Sequence, residues 1–199
     1  MAQALLEKPL MFNHHRGLWG YTGTARDGKP LTIQATGMGG PSAAIVVHEL
    51  IELGARTLVR IGTCGALADG LELGELVAAE SVLATDGASR ALGAGDVVRA
   101  DPDLTEALRR PSVTAVSTDL FYDAREEELA GAWLRAGARV VEMEAAAVLR
   151  LAELHGARAA CLLAVTDRLG AARVRADAET VEALGLELGE AAWEALALV

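Results

Sequence analysis

With 199 residues, the chain has the length of one well-buried domain and is short for two. Hydrophobic residues make up 52% and aromatic residues 4%, which calls for an aliphatic core and excludes a disordered chain. Lys plus Arg number 18 against 28 Asp plus Glu, and the net charge of −10 repels nucleic acid and anionic membrane surfaces. No apolar run reaches the roughly 18 residues that a spanning helix needs. The N-terminal MAQALLEKPLMFNHH has no basic leader followed by an apolar block. Cys64 and Cys161 stand far apart without ligand spacing, so both are expected to be reduced and buried. The expectation is a cytoplasmic protein with neither a membrane nor a nucleic-acid partner.

Along the chain, residues 1–12 are poorly defined. Leu31–Thr36 (LTIQAT) alternates apolar and polar side chains, as a half-buried strand does. Gly37-Met38-Gly39-Gly40 breaks it, and Pro41-Ser42 opens a helix through Leu53; Pro fits the first helical turn, where its missing N–H costs nothing. After Gly54, Thr57–Gly62 (TLVRIG) is a nearly all-apolar strand, of the kind found in a sheet covered on both faces. The pattern then predicts a strand over Glu75–Ala84, a Gly- and Asp-rich loop over 86–101, and a helix over Pro102–Arg110. A strand over Ser112–Ser117, a helix over Glu126–Ala136, a strand over Arg139–Glu142 and a helix over Glu144–His155 follow. A buried strand over Ala159–Val165 and a helix from about Asp177 complete the chain. This alternation predicts a single α/β domain over 1–199, with a central mixed twisted sheet flanked by helices in three layers.

In α/β sheets, ligands gather at the carboxyl ends of strands, and several strand ends here carry unusual residues. The Gly37–Ser42 loop matches neither the dinucleotide fingerprint nor a P-loop. It is either a turn before a helix or a close backbone approach to a ligand, with N–H groups free for an anion. Arg60 sits inside an apolar strand, where an unpaired guanidinium is costly to bury. It is either paired with an internal carboxylate or turned to an anionic ligand beside Thr63 and the Gly62–Gly65 backbone, and an Arg fork suits phosphate. Glu142 and Glu144 flank Met143 at a strand-to-helix junction. They either decorate a helix N-terminus with acid or accept hydroxyl hydrogen bonds from a sugar. Asp167 ends an apolar strand, as a turn cap or as a carboxyl at a cleft that serves as proton donor. Phosphate, ribose and base would satisfy an anion site, a diol acceptor and an acid together, in a hollow beside Arg60 that Glu144 and Asp167 share.

Four blocks, in order, resemble the nucleoside phosphorylase family that includes the hexameric bacterial purine nucleoside phosphorylases and the uridine phosphorylases. They are Arg16-Gly17-Leu18-Trp19-Gly20-Tyr21-Thr22-Gly23; Gly37-Met38-Gly39 with Pro41-Ser42, Ile45, Glu49 and Leu50; Arg60-Ile61-Gly62-Thr63-Cys64-Gly65-Ala66; and Val141-Glu142-Met143-Glu144-Ala145-Ala146. The resemblance covers roughly residues 13–170. It implies phosphorolysis of a nucleoside to free base and pentose 1-phosphate, with orthophosphate as co-substrate and no other cofactor or metal. By the same resemblance, Arg60, Thr63 and Gly39 would hold phosphate, with Arg16 reaching in from a neighbouring subunit. Met38, Met143 and Glu144 would bind the ribose, and Phe121, Val141, Glu142, Thr166 and Asp167 the base. Asp167 and Arg60 would carry catalysis, Asp167 by protonating purine N7. The assembly implied is a homo-oligomer, at least a dimer and by family precedent a hexamer.

The uridine branch reads its base with a Gln and an Arg soon after the Phe-Tyr pair; Asp123-Ala124-Arg125-Glu126 lacks that Gln, which favours purine. The chain departs from the family elsewhere. The usual opening strand with its Gly-Asp-Pro-x-Arg type loop has no match ahead of Arg16, which leaves a gap in the sheet. The family's N-terminal His is missing, with His14 or His15 as substitutes, and the segment between Pro102 and Ser117 looks shortened. The Arg that assists the acid has no clear counterpart, although Arg168, Arg173 and Arg175 are near in sequence. Rival readings are a uridine phosphorylase, a hydrolytic nucleosidase of the same fold, and a catalytically impaired relative that binds nucleoside.

Overall fold

In the computed structural model, which describes residues 1–67, 69–169 and 173–199, the chain opens with a helical turn α1 (Ala2–Leu5) and a three-stranded meander. The meander is β1 (Leu6–Asn13), β2 (Gly20–Ala25) and β3 (Pro30–Gln34), all antiparallel. There follow α2 (Gly40–Glu52), β4 (Thr57–Ala66), β5 (Leu76–Ala84), α3 (Gly87–Ala91) and β6 (Val97–Arg99). Next come α4 (Pro102–Ala107), β7 (Ser112–Ser117), α5 (Glu126–Arg135) and β8 (Val140–Glu142). The chain ends with α6 (Ala145–Leu154), β9 (Arg158–Arg168), β10 (Val174–Arg175) and α7 (Ala178–Leu198).

The main sheet has the order β10-β9-β4-β8-β7-β5-β6 and is mixed, as the alternating pattern predicts. β4 runs parallel to β9 from Thr57↔Arg158 onward, and β7 runs parallel to both β5 and β8. An additional antiparallel pairing, Leu76↔Ala164 to Ala78↔Leu162, joins β5 to β9, so β9-β4-β8-β7-β5 closes into a ring. Alternation along the strands sends side chains to two cores. One face of β9 (Cys161, Leu163, Val165) packs with Val77, Val82, Val140 and the α6 residues Ala145, Ala146 and Leu149. The other face (Ala160, Leu162, Ala164) packs with Leu104 of α4 and Leu184, Leu188, Ala191 and Ala195 of α7. Leu162 and Leu163 are fully buried, each worth ~1.5–3 kcal/mol. Alanine at so many of these positions is what lets helices lie close to the sheet with almost no aromatic filling. Asp101 caps α4 by accepting from the Leu104 N–H, and Asp177 caps α7 by accepting from the Thr180 N–H.

The structure corrects the sequence reading at three places. Residues 1–12 are ordered into α1 and most of β1. The Leu31 strand lies in the meander and not in the central sheet. The 86–101 stretch contains α3 and β6, with Asp86 fully buried and accepting from the Ser89 N–H as cap; its Gly and Asp density marks a capped turn. The apolar Thr57–Gly62 run packs on both faces as expected, Leu58 against the α6-side core and Val59 and Ile61 against the α7-side core, but one of its edges is unpaired. Among the described residues β4 pairs with β8 only at Gly65 and Ala66, so Thr57 to Cys64 carry a ladder on the β9 side alone, and Thr57 and Thr63 are exposed. Among the described residues no helix is long and apolar enough to cross a membrane.

Candidate active site

Strand register sets the site. Gly65 of β4 is opposite Val141 of β8 on one side and Asp167 of β9 on the other, while Ser117 of β7 is opposite Glu142. A side chain at position 65 would run into Leu169 and Val141, so glycine keeps the row closed.

On the Glu142 side a buried charge cluster forms. The Arg60 guanidinium donates from Nε and Nη2 to Glu142 Oε2 at 3.1 and 2.8 Å, and from Nη2 to Glu144 Oε2 at 2.5 Å. It lies over Gly62, where a Cβ would meet Nη1 at 2.7 Å, so only glycine leaves it room to reach across. Glu142 Oε2 also accepts the Glu144 and Ala145 N–H groups at the start of α6, both at 2.8 Å. Its Oε1 accepts from the Ser117 hydroxyl, which in turn accepts the Ala146 N–H at 2.9 Å. The α6 N-terminus thus adds its positive dipole end to a carboxylate already held by Arg60. Glu144 Oε1 accepts the Gly39 N–H at the start of α2.

One cation against two carboxylates leaves an excess negative charge in a buried place. Burial pushes the Glu144 carboxyl above the ordinary glutamate range, with Arg60 and the Gly39 N–H pulling the other way. Burial also opposes the charge on Arg60, but the Glu142 and Glu144 carboxylates more than offset it and hold the guanidinium ionised. Of the two readings the sequence leaves open for Arg60, the internal ion pair is therefore present. Its Nη1 remains lightly used, with one 3.5 Å contact to the Ile61 carbonyl.

On the Asp167 side the rim is more open. Phe121 is 48% exposed and meets Tyr122 edge-on. The guanidinium carbons of Arg173 and Arg175 lie 5.6 and 5.5 Å from its ring centre. Arg175, paired with Asp167 in the β10–β9 register, donates from Nε to Asp167 Oδ1 at 2.8 Å, and the Thr166 hydroxyl donates to Oδ2 at 3.1 Å. Of the three nearby arginines, Arg175 reaches the acid; Arg168 turns to Glu72 and Arg173 to Glu126.

Not every expected residue joins these groups. Glu142 is held by Arg60, Ser117 and two backbone N–H groups, so its carboxylate clamps the cluster. The Gly39 N–H is held by Glu144 and is not presented to an anion. Met38 is 89% exposed, Met143 is half-buried beside Glu144, and the Thr63 side chain is exposed. Arg16 is exposed in left-handed backbone (φ 55°), and His14 and His15 stack on each other at the surface. A cavity of about 1040 Å³ borders Arg60 and Ile61 between the open side of β4, the meander and α7, but neither Glu144 nor Asp167 lines it. This cavity is therefore not the hollow expected beside all three residues, and the guanidinium is turned onto its two carboxylates. Ser117 is the residue the sequence reading missed; its only signal is a hydroxyl at the carboxyl end of the SVTAVS strand, where ligands gather. Both cysteines are free and buried, and burial pushes the Cys161 thiol up to about 12, so it is no nucleophile.

Comparison with known proteins follows the same line. Residues 2–197 match the family described as the phosphorylase superfamily. A DeoD-type purine nucleoside phosphorylase of Clostridium perfringens is 35% identical over 182 residues, covering 85% of this chain and 76% of that protein. The DeoD-type purine nucleoside phosphorylase of Geobacillus kaustophilus is 34% identical over 181 residues, covering 85% and 75%. That of Jannaschia sp. is 37% identical over 180 residues, covering 84% and 76%.

Proposed function

The chain belongs to the phosphorylase superfamily, and on that premise we propose that it is a purine nucleoside phosphorylase, a pentosyltransferase that cleaves a purine nucleoside with orthophosphate to free base and pentose 1-phosphate. The observation that carries this reading is the bond between Arg60 and Glu144. It makes an anion-binding cation and a hydroxyl-binding carboxylate neighbours, as a pentose with phosphate beneath its anomeric carbon requires.

In this mechanism Glu144 accepts hydrogen bonds from the pentose hydroxyls, with Met143 and Met38 against its apolar side. Orthophosphate lies beside Arg60 Nη1 and the Thr63 hydroxyl, with Arg16 of a neighbouring subunit as a further cation. As the bond from C1′ to the base nitrogen lengthens, positive charge grows on the pentose ring, and the phosphate oxygen both stabilises it and closes on C1′. The bond's electron pair leaves with the base, and Asp167 delivers a proton to N7, a step worth ~10²–10⁴-fold. Arg175 and Thr166 fix both oxygens of that carboxyl. Phe121, Val141 and Thr166 border the base. Arg125, the cation nearest the Phe121-Tyr122 pair in sequence, is held by Asp123 at 2.8 Å, which leaves no Gln–Arg pair to read uracil. Orthophosphate serves as co-substrate and no other cofactor is required. The exposure of Arg16 suits a homo-oligomer, at least a dimer and on the family pattern a hexamer, working in cytoplasmic purine salvage.

The experiment is base release from inosine and adenosine by the purified protein with and without orthophosphate. Phosphate-dependent release together with pentose 1-phosphate is expected. Equal release without phosphate would make the protein a hydrolase, and nucleoside-induced thermal stabilisation with no release would make it a binder alone.

A further inference from the structure

Two stretches of chain meet just ahead of Phe121, residues 85–87 entering α3 and residues 117–119 leaving β7. The Thr85 hydroxyl donates to the Ser117 carbonyl at 2.6 Å, and the Gly87 N–H donates to Asp119 Oδ2 at 2.8 Å. On the other flank the Thr118 N–H donates to the Glu142 carbonyl at 3.0 Å, and the Ser117 hydroxyl to the Glu142 carboxylate. Residues 117–119 are thus held from both sides. Among the described residues, Asp119 carries the last hydrogen bond ahead of the Phe121 ring. Gly87 heads α3, so its N–H is one of the donors that a helix start leaves without an internal partner.

From α3 the contacts continue to the Glu144 carboxylate. Asp86 is fully buried and binds the Ser89 N–H and hydroxyl at 2.8 and 2.5 Å. A Cβ at position 40 would come within 3.0 Å of Asp86 Oδ2 and 2.8 Å of Ala88 Cβ. Glycine there lets the first turn of α2 lie against α3, and the preceding Gly39 gives its N–H to Glu144. Direct contacts therefore run from Glu144 through the starts of α2 and α3 to Asp119 and the loop that carries Phe121. That ring has little else to fix it. It is half-exposed, its edge-on neighbour Tyr122 is exposed, and Arg175 over it belongs to a two-residue edge strand.

We propose that Asp119 is a positioning residue, which sets the Phe121 loop relative to the Glu144 carboxylate by way of α3. The inference rests on the nucleoside reading above, in which Glu144 holds the pentose and Phe121 borders the base. Base and pentose are joined through one rotatable bond, so a ring lies flat on the base only if its mounting is in register with the group that holds the sugar. Small displacements of such a mounting are felt in binding and rate. Asp119 touches neither substrate part and acts through the loop.

The test is calorimetric binding of hypoxanthine and of ribose 1-phosphate, with kcat/KM for inosine and orthophosphate and amide exchange at Gly87. Asp119→Ala should weaken hypoxanthine about three- to tenfold, lower kcat/KM to match and speed Gly87 exchange. Ribose 1-phosphate binding and the melting temperature should stay as they are. Asp119→Asn keeps an acceptor oxygen and should restore all three readouts. Unchanged hypoxanthine binding in Asp119→Ala would overturn the proposal. So would joint weakening of both ligands with a lower melting temperature, the mark of a plain staple of the fold, or an Asn variant as impaired as Ala, the mark of a carboxylate that meets substrate. If the unsubstituted protein binds hypoxanthine without phosphorolysing inosine and Asp119→Ala still weakens that binding, the positioning role stands and the catalytic reading falls. If inosine is phosphorolysed equally well by both, the catalytic reading stands and the positioning role falls.

Discussion

The Arg60–Glu142–Glu144 cluster and the Phe121–Asp167–Arg175 rim lie on either side of Gly65, one strand apart in the register, and they are built in opposite ways. In the cluster each carboxylate oxygen has a partner, the side chains are almost wholly buried, and the start of a helix is tied in. At the rim the aromatic ring is half-exposed and the ionic contacts come from a two-residue edge strand. A sugar and a phosphate present the same oxygens in every substrate, so a rigid end is tolerable there. Bases differ, and the adaptable end is where they differ. On the proposed function, the contrast would put preorganisation at the glycosyl side and selectivity at the leaving-group side.

The sharpest way to break this contrast is Arg60→Met. It removes the cation between two buried carboxylates, and breaking such a cluster typically costs about 3–5 kcal/mol. We expect a large fall in the urea midpoint and loss of phosphorolysis; an unchanged midpoint would show that the cluster is not the rigid end. Asp167→Asn tests the opposite side: kcat should fall by ~10²–10⁴-fold while the melting temperature stays put, because the rim carries little of the fold. A melting temperature that drops with kcat would erase the distinction.

Glu144 sharpens the comparison through pH. Its folded-state carboxyl titrates above the unfolded one because burial disfavours the charge, so its contribution to stability is present below the unfolded pKa and is lost as pH rises through the folded one. On the proposed mechanism activity runs the other way, since the ionised form would accept the pentose hydroxyls. A pH profile of kcat/KM should therefore show an acid limb above the ordinary glutamate range, and Glu144→Gln should raise KM for nucleoside roughly 10–100-fold. An acid limb at the value of a free glutamate would contradict the burial of this carboxyl.

The smallest effect belongs to a pair outside both regions. Hydrogen bonding from Arg158 holds the Asp101 carboxyl below its usual value, so its stabilisation is present above the unfolded pKa and fades as pH falls through the folded one. Asp101→Asn keeps the α4 cap and loses the pair, and should cost no more than ~1 kcal/mol at neutral pH, read from the same urea titrations.

Much of this was legible before any coordinates. The 3.6-residue patterns of 145–154 and 178–198, the β-branched stretch at 112–117 and the apolar run at 159–165 fix their elements, because burial on one or both faces writes itself into the sequence. Arg60, Glu144 and Asp167 stand out for a related reason: Arg60 is charged inside an apolar strand, Glu144 opens an alanine-rich helix and Asp167 follows the apolar run 159–165. What stayed hidden depends on pairing across distance. The closure of β5 on β9 involves only Leu76 to Ala78, whose pattern is that of any buried strand. That Glu142 binds Arg60 and Ser117 follows from a register no single segment records. Residues 86–101 read as loop because a five-residue helix and a three-residue strand are too short for a period to show.

The half-paired stretch of β4 has a bearing on how this protein behaves in a tube. A row of bare amide and carbonyl groups is adhesive towards any other extended chain, itself included. At low ionic strength the net charge of −10 keeps molecules at a distance; at ~0.1 M salt, where screening sets in over about 10 Å, that restraint weakens and the stretch becomes the first point of self-contact. We therefore expect self-association to rise with added salt, with the unpaired edge of β4 as its seam.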